Sequence, residues 1–131
     1  MSENPKKILI VDDDSFLLDM YALKFSNSNF SVVTALGPEL ALEKLQQGLS
    51  PDLIILDIMM PVMDGFELLD KIKKEKIATN SIIVFLSNRG QQSDITRAEA
   101  MGASGYIIKA SSTPSEVVEK VIKIMNDSRK K

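Results

Sequence analysis

Five short apolar runs alternate along the chain with longer amphipathic segments. The runs lie at 8–11, 32–34, 53–56, 82–86 and 106–108. Four of them are continuous rather than alternating, which is typical of strands buried on both faces of a parallel sheet. The run in Phe-Ser-Val-Val-Thr at 30–34 is weaker and indicates an edge strand. The pattern therefore predicts five strands, with the second strand at an edge of the sheet.

The segments between these runs have the spacing and the end signals of helices. Helices are predicted at 15–27, 38–47, 66–74, 92–101 and from 113 to about 125. Pro38 begins the second helix and Gly102 follows the fourth, as the residue preferences of helix ends favour. Thr113 and Glu116 have the spacing of a capping box at the start of the fifth. Because strands and helices alternate, the sequence predicts an α/β fold, a doubly wound five-stranded parallel sheet with five helices on its two faces.

Length and composition restrict the possible chemistry. The 131 residues fit one domain, expected to span 1–131 with a core at about 7–125 and short polar tails. The chain has no cysteine and no histidine. Their absence excludes a disulfide framework, a thiolate or histidine zinc site, a histidine-dependent triad and a phosphohistidine donor.

Charge and hydropathy give no reason to expect nucleic acid or a membrane as a partner. With 16 basic and 18 acidic residues, the net charge is −2, and the basic cluster at 129–131 is typical of a solvated terminus. No apolar run approaches the roughly 18 residues of a membrane span, and no apolar stretch follows the first lysines as in a signal peptide. We therefore expect a cytoplasmic protein that binds neither partner through this domain.

Polar side chains follow four of the five predicted strands. Asp12, Asp13 and Asp14 follow the first, Asp57 the third, Ser87 the fourth and Lys109 the fifth. Taken singly, each has a purely structural explanation, such as a helix cap, a turn or a solvated lysine. Open α/β sheets bind ligands outside the carboxyl ends of their strands, where these side chains converge. Clustered carboxylates favour a hard dication, and magnesium beside a carboxylate, a hydroxyl and an ammonium suits phosphoryl transfer.

Four stretches resemble the receiver domain of two-component response regulators. They are "ILIVDDDSFLL", "PDLIILDIMMPVMDGFELL", "IIVFLS" and "GASGYIIK". The second is the most specific, because the acceptor aspartate, a proline four residues later and an Asp-Gly turn recur in that family at these offsets. The resemblance runs from about Lys7 to about Met125 and implies the flavodoxin-like strand order 2-1-3-4-5.

The resemblance implies a separate role for each acidic residue. Asp57 would accept a phosphoryl group from a phosphohistidine on a sensor histidine kinase or a phosphotransfer protein. Asp12 and Asp13 would hold magnesium, or manganese, with the Asp57 carboxylate and the backbone carbonyl of Met59. Asp14 stands immediately before the first helix, so we expect it to cap that helix rather than to bind the metal.

The remaining matched residues would respond to the phosphoryl group on Asp57. Ser87 and Lys109 would contact it, and Tyr106 would be the aromatic residue that moves inward with Ser87. Without the resemblance, Tyr106 is more simply a half-buried strand residue. The resemblance implies that the chain promotes only its own phosphorylation and slow dephosphorylation, rather than acting as an enzyme on other substrates.

Three departures from the family pattern affect the expected site. In the family, a proline follows the lysine and is joined to it by a cis peptide bond. Ala110 stands at that position here, so the Lys109–Ala110 bond is either cis, or trans with a reshaped loop after the fifth strand. Asn88 is larger than the usual residue and would narrow access to the acceptor. Met59 and Arg89 occupy the two positions that tune hydrolysis in the family. Arg89 either reaches over the acidic pocket to pair with a carboxylate or is solvated.

Alternative functions and partners remain open on sequence grounds. The chain could be a receiver-like scaffold that binds a partner without phosphorylation, or a small magnesium-dependent phosphatase. A downstream protein would dock on the face formed by the fourth helix, fifth strand and fifth helix, and the protein would be a monomer or a transient homodimer. The candidate docking residues are Arg97, Glu99, Tyr106, Glu116, Glu119, Lys120 and Lys123. The chain is either a single-domain regulator or a fragment of a longer protein.

Overall fold

The structure is a computed structural model in which residues 5–129 are described. The strands are β1 (Lys6–Asp12), β2 (Phe30–Leu36), β3 (Leu53–Leu56), β4 (Ile82–Ser87) and β5 (Gly105–Ile108). The helices are α1 (Ser15–Asn27), α2 (Pro38–Gln46), α3 (Gly65–Lys74), α4 (Gln92–Ala100) and α5 (Pro114–Arg129), and a 3-10 turn follows β5 at Lys109–Ser111. Residues 1–4 and most of the predicted basic tail at 129–131 lie outside the described part of the chain.

The five strands form one parallel sheet in the order β2-β1-β3-β4-β5. This confirms the predicted α/β fold, the strand order and the edge position of β2. The register aligns the carboxyl ends of neighbouring strands, since Asp12 lies beside Leu36, and Ser87 beside Ile108. The backbone N–H of Asp57 donates to the carbonyl of Val11 at 3.0 Å, which fixes the end of β3 against β1. Residues that follow the strands therefore meet at one edge.

Two apolar layers cover the faces of the sheet. On one face, α1 and α5 pack through residues such as Phe25 and Val121. On the other face, α2, α3 and α4 pack through residues such as Phe66 and Ala98. Both faces of β3 are completely buried, which explains its continuous apolar sequence Leu-Ile-Ile-Leu.

Reciprocal side-chain caps fix the starts of α3 and α5. The Asp64 carboxylate accepts from the backbone N–H of Glu67 at 2.8 Å, and the Glu67 carboxylate accepts from the N–H of Asp64 at 3.0 Å. The predicted capping box of α5 is confirmed, with the same reciprocal bonds between Thr113 and Glu116 at 3.2 and 2.7 Å. These boxes set the directions in which α3 and α5 leave the sheet edge.

The structure differs from the predicted boundaries at a few ends. β1 begins at Lys6, two residues earlier than its apolar run, because strand pairing with Phe30 extends the ladder into polar sequence. α5 continues to Arg129 rather than ending near Met125, since neither glycine nor proline follows to stop it. The 3-10 turn at 109–111 was not predicted. Within residues 5–129, no helix combines the length and the apolar character that crossing a membrane requires.

Candidate functional site

A cavity of about 250 Å³ opens at the carboxyl edge of the sheet. Its lining residues are Asp12, Asp13, Asp14, Leu17, Asp57, Met59, Ser87, Asn88 and Lys109. Every polar residue that the sequence analysis placed at a strand end is among them. The convergence follows from topology, because β1, β3, β4 and β5 are parallel neighbours and all end at this edge.

Lys109 bridges two buried carboxylates inside this cavity. Asp12 is 3% exposed and Asp57 is 5% exposed. The Lys109 Nζ lies 2.7 Å from Asp12 Oδ2 and 3.4 Å from Asp57 Oδ2. The other oxygen of Asp57, Oδ1, accepts from the backbone N–H of Ile58 at 2.8 Å. Both acidic side chains are thus held in fixed positions with one cation between them.

The Lys109–Ala110 peptide bond is trans, as are all peptide bonds among the described residues. Of the two geometries considered from sequence, the structure therefore has the trans bond with a reshaped loop. The 3-10 turn that begins at Lys109 is this reshaped loop. Lys109 still reaches Asp57, so the position of the ammonium does not require a cis bond.

The electrostatics of the cavity favour bound cations. Burial raises the pKa of Asp57 to about 6 from an ordinary value of 3.8, and the charge of Asp12 acts in the same direction, against Lys109. Burial also raises the pKa of Asp13, again reinforced by Asp12. For Lys109, burial opposes the charged form, but the bond to Asp12 and the charge of Asp57 outweigh it and raise the pKa. One ammonium therefore leaves the three carboxylates short of positive charge.

The three carboxylates suit a hard divalent cation. One oxygen from each of Asp12, Asp13 and Asp57 lies within 4.8 Å of the other two. Carboxylate oxygens are preferred ligands of Mg²⁺ and Mn²⁺, and Mg²⁺ completes its octahedron with water and phosphate oxygens. The open cavity leaves space for those further ligands. The backbone carbonyl of Met59 stays a predicted ligand.

Asp14 has a different role from its two neighbours, as expected from sequence. Its Oδ1 accepts from the backbone N–H groups of Phe16 at 3.0 Å and Leu17 at 3.2 Å. These are free donors in the first turn of α1, so Asp14 is the N-cap of that helix. The Asp14 backbone N–H donates to Asp12 Oδ1 at 3.0 Å, which helps to orient Asp12.

Gly65 supports the position of Asp57 in a way that the sequence analysis missed. From the sequence, Asp64-Gly65 was identified only as the Asp-Gly turn of the family pattern. A Cβ built on Gly65 would lie 2.1 Å from the Asp57 carbonyl oxygen and 3.0 Å from the Cα of Ile58. The Gly65 N–H also donates to the Ile58 carbonyl at 2.9 Å. Only a residue without a side chain allows α3 to begin this close to the end of β3.

The region around Ser87 and Tyr106 connects the cavity to β5. Ser87 is completely buried, and its Oγ accepts from the backbone N–H of Arg89 at 3.1 Å. Tyr106 is half-buried, its ring lies 6.3 Å from that of Phe85, and its hydroxyl donates to the carbonyl of Arg89. Burial, followed by the charge of Asp94, raises the pKa of Tyr106. The chain segment at Arg89 is therefore bonded to both residues.

The Arg89 side chain is neither paired with a carboxylate of the acidic cavity nor simply solvated. Its Nη2 and Nε donate to the two oxygens of Asp94, at 2.7 and 3.2 Å, and its Nη1 lies 3.3 Å from the sulfur of Met59. Asp94 belongs to the first turn of α4 and is 5% exposed. Neither sequence alternative describes this arrangement fully. Asn88 is exposed at the cavity wall.

Comparison with known proteins gives consistent matches. A model of the response regulator receiver domain matches residues 8–122. The alkaline phosphatase synthesis transcriptional regulatory protein PhoP of Bacillus subtilis (strain 168) is 33% identical over 123 residues, which are 94% of this chain and 50% of that protein. The phosphate regulon transcriptional regulatory protein PhoB of Escherichia coli (strain K12) is 31% identical over 120 residues, 92% of this chain and 52% of that protein. The chain thus spans about half the length of these curated relatives.

Solved structures with the same fold include chains that match over almost their whole length. A CheY-like response regulator receiver domain protein from Methanospirillum hungatei JF-1 has a TM-score of 0.83 at 27% identity, covering 96% of this chain and 98% of that one. The chemotaxis protein CheY4 of Vibrio cholerae also has a TM-score of 0.83 at 27% identity, covering 92% and 98%. The fold, the acidic cavity and the family match together show that this chain belongs to the response regulator receiver domain family, the phosphoacceptor domains of two-component signalling.

Proposed function

We propose that Asp57 is the phosphoacceptor and that a sensor histidine kinase or a phosphotransfer protein is the donor. The observation that carries the proposal is the position of the Lys109 ammonium, 2.7 Å from Asp12 and 3.4 Å from Asp57 within an open cavity. A purely structural ion pair needs no such access to solvent. A scaffold that never binds phosphate likewise has no need for two buried acids around one lysine.

In the proposed reaction, a carboxylate oxygen of Asp57 attacks the phosphorus of a donor phosphohistidine. An O–P bond forms, the P–N bond breaks, and the electron pair of that bond goes to the imidazole nitrogen of the donor. Lys109 would neutralise charge on the phosphoryl oxygens, and the hydroxyl of Ser87 would donate a hydrogen bond to one of them. The 131 residues contain no histidine, so a donor phosphohistidine would lie outside them.

Asp12, Asp13 and Asp57 would hold Mg²⁺, or Mn²⁺, beside the acceptor. When bound, the ion would supply the positive charge that these acids and the phosphoryl oxygens require. The raised pKa of Asp57, caused first by burial and then by Asp12, fits a site that has too little positive charge until a metal binds.

Phosphorylation would then shift the region beyond Ser87. The phosphoryl group brings greater negative charge and strong acceptor oxygens, so its bonds to Ser87 and Lys109 exist in only one state. Ser87 now accepts from the N–H of Arg89, and Tyr106 donates to the carbonyl of the same residue. A change at Ser87 would therefore reach Tyr106 through this short loop.

One experiment separates the three candidate functions. The protein is incubated with Mg²⁺ and a small phosphodonor, and its intact mass is measured. We expect a mass increase of one phosphoryl group. Absence of any adduct, with the small donor and with a cognate kinase, would instead favour the scaffold. Continuous turnover of a phosphate ester without a lasting adduct would favour the phosphatase.

The adjacent residues Asp13 and Asp14 give a matched pair of variants. Asp13→Ala should lose most Mg²⁺ affinity with little loss of stability, because its exposed carboxylate makes no helix cap. Asp14→Ala should keep Mg²⁺ binding but lower the free energy of unfolding by about 1 kcal/mol, since the cap of α1 is removed. Calorimetric Mg²⁺ titration and urea unfolding test both. Equal losses of Mg²⁺ affinity in the two variants would refute the division of roles.

Met59 should make the phosphorylated state long-lived. Its side chain is 59% exposed at the cavity and has no group that positions a water molecule for hydrolysis. We expect Met59→Asn to speed loss of the phosphoryl group several-fold, and Met59→Leu to leave the rate nearly unchanged. The decay of the adduct is followed by intact mass. Wild-type decay within seconds that Met59→Asn does not change would contradict this prediction.

The partners follow from the same proposal. Residues 1–131 would act as one cytoplasmic receiver domain, as a monomer or transient homodimer. A downstream protein would dock on the face of α4, β5 and α5, where the charged candidates from the sequence analysis are exposed. One of them, Arg97, also covers the ring of Phe66 at 4.3 Å, so part of its side chain is used internally.

A further inference from the structure

Arg89 joins four separate parts of the molecule beside the acidic cavity. Its backbone N–H donates to Ser87 Oγ and its carbonyl accepts from the Tyr106 hydroxyl. Its guanidinium makes a two-bond contact with Asp94 and places Nη1 3.3 Å from the sulfur of Met59. Met59 lines the cavity that contains Asp57, so the guanidinium lies beside the cavity mouth.

Asp94 requires this partner because its carboxylate is buried. It is 5% exposed, and a buried carboxylate without a partner is strongly destabilising. In α4, only Asp94 and Ala98 are buried. The attachment of the first turn of α4 to the rest of the domain therefore depends largely on the ion pair with Arg89.

The same guanidinium has the right chemistry for a phosphoryl group. Arginine binds carboxylate and phosphate through the same planar pair of N–H donors. The Arg89 side chain is 42% exposed even though it is paired with Asp94, so packing does not enclose it. A phosphoryl group on Asp57 would add negative charge and acceptor oxygens on the other side of Met59.

We propose that Asp94 and a phosphoryl group on Asp57 compete for Arg89, so that phosphorylation releases Asp94 and the first turn of α4. This inference rests on the proposed function, because it requires phosphorylation of Asp57. Coupling between two sites is reciprocal. Asp94 must therefore weaken the affinity of the cavity for a phosphoryl-like anion, and that anion must weaken the attachment of α4.

The test measures the affinity for beryllofluoride, a phosphoryl mimic that binds aspartate carboxylates, in the presence of Mg²⁺ by calorimetry. Four proteins are compared: wild type, Asp94→Asn, Arg89→Gln and the double variant. We expect Asp94→Asn to bind beryllofluoride about fivefold more tightly than wild type, because Arg89 is freed. In the Arg89→Gln background, Asp94→Asn should change nothing.

Asp70→Asn is the matched control. It removes the same charge from an exposed ion pair with Lys74, whose Nζ–Oδ2 distance is 2.9 Å, and should leave the affinity unchanged. Asp94→Asn could also raise the affinity for beryllofluoride equally with and without Arg89. That result would show only the long-range repulsion by the Asp94 charge and would overturn the proposed competition. So would no effect in either background. Failure of wild type to bind beryllofluoride with Mg²⁺ would contradict the proposed function itself, and the competition with it.

A second measurement needs no variant. Hydrogen exchange of the backbone amides in the first turn of α4 is followed in wild type with and without beryllofluoride. Faster exchange of these amides in the presence of the mimic is expected, because Asp94 loses its partner. Unchanged or slower exchange, with the mimic shown to be bound, would overturn the inference and leave the proposed function standing.

Discussion

Asp57→Asn should make the metal-free protein more stable at neutral and alkaline pH. Folding raises the pKa of Asp57 from 3.8 to about 6, chiefly by burial, so the folded state favours the protonated carboxyl. The stability that comes from this raised pKa is fully present below about pH 4 and is lost as the pH rises through about 6. Above that range, removal of the charge should raise the free energy of unfolding by about 2 to 3 kcal/mol, because the raised pKa is already the net effect of burial, the charge of Asp12 and the ion pair with Lys109.

Urea unfolding with a chelator at about pH 8 and about pH 4.5 tests this expectation. The increase in the free energy of unfolding of Asp57→Asn over wild type should be large at the higher pH and small at the lower one. Asp70→Asn serves as the control, because Asp70 is exposed and its neutralisation should change stability by less than about 0.5 kcal/mol. Added Mg²⁺ should reduce the difference, since it binds the wild-type carboxylates in the folded state. A gain that does not depend on pH would show that the charge of Asp57 is not its cause.

Gly65→Ala should lower the free energy of unfolding by about 3 kcal/mol and impair phosphorylation. The new Cβ would lie 2.1 Å from the carbonyl oxygen of Asp57, so either the start of α3 or the end of β3 must move. All the atoms that the new Cβ would meet belong to the backbone, which cannot relax as a side chain does, and such overpacking is strongly destabilising. Because the displaced residue is Asp57, the position of its carboxylate should change as well.

Gly90→Ala is the control for this change. Its Cβ would meet only the flexible end of Ile108, at 2.8 Å from Cδ1, so we expect a loss below about 1 kcal/mol. Urea unfolding gives the stability of each variant, and the rate of adduct formation with a small phosphodonor gives the effect on Asp57. A Gly65→Ala protein as stable and as readily phosphorylated as Gly90→Ala would show that the close approach has no consequence.

The general fold and the residues of the cavity were predictable because both follow from repeating rules. Apolar periodicity distinguished strands from helices, and parallel strands bring their carboxyl ends to one edge. This was enough to place Asp12, Asp57 and Lys109 together and to separate Asp14 as a helix cap. The strand order came from the family resemblance, since periodicity alone does not order strands.

The details that were missed depend on contacts between distant segments. The need for glycine at position 65 comes from its approach to Asp57, and no local backbone signal marks it, since Gly65 does not have a positive φ. The partner of Arg89 was also missed. Asp94 follows only five residues later, but the loop conformation that joins the pair depends on Ser87 and Tyr106.

The identity of the phosphorylated residue is tested most directly by chemical mapping. The protein is treated with Mg²⁺ and a small phosphodonor, and the acyl phosphate is reduced with borohydride, which converts a phosphorylated aspartate to homoserine. Peptide mass spectrometry then locates the change. We expect homoserine at position 57 only, in a reaction that requires Mg²⁺. Homoserine at Asp12 or Asp13, or a phosphoryl group that survives reduction on a hydroxyl such as that of Ser87, would contradict the assignment of Asp57 as the acceptor.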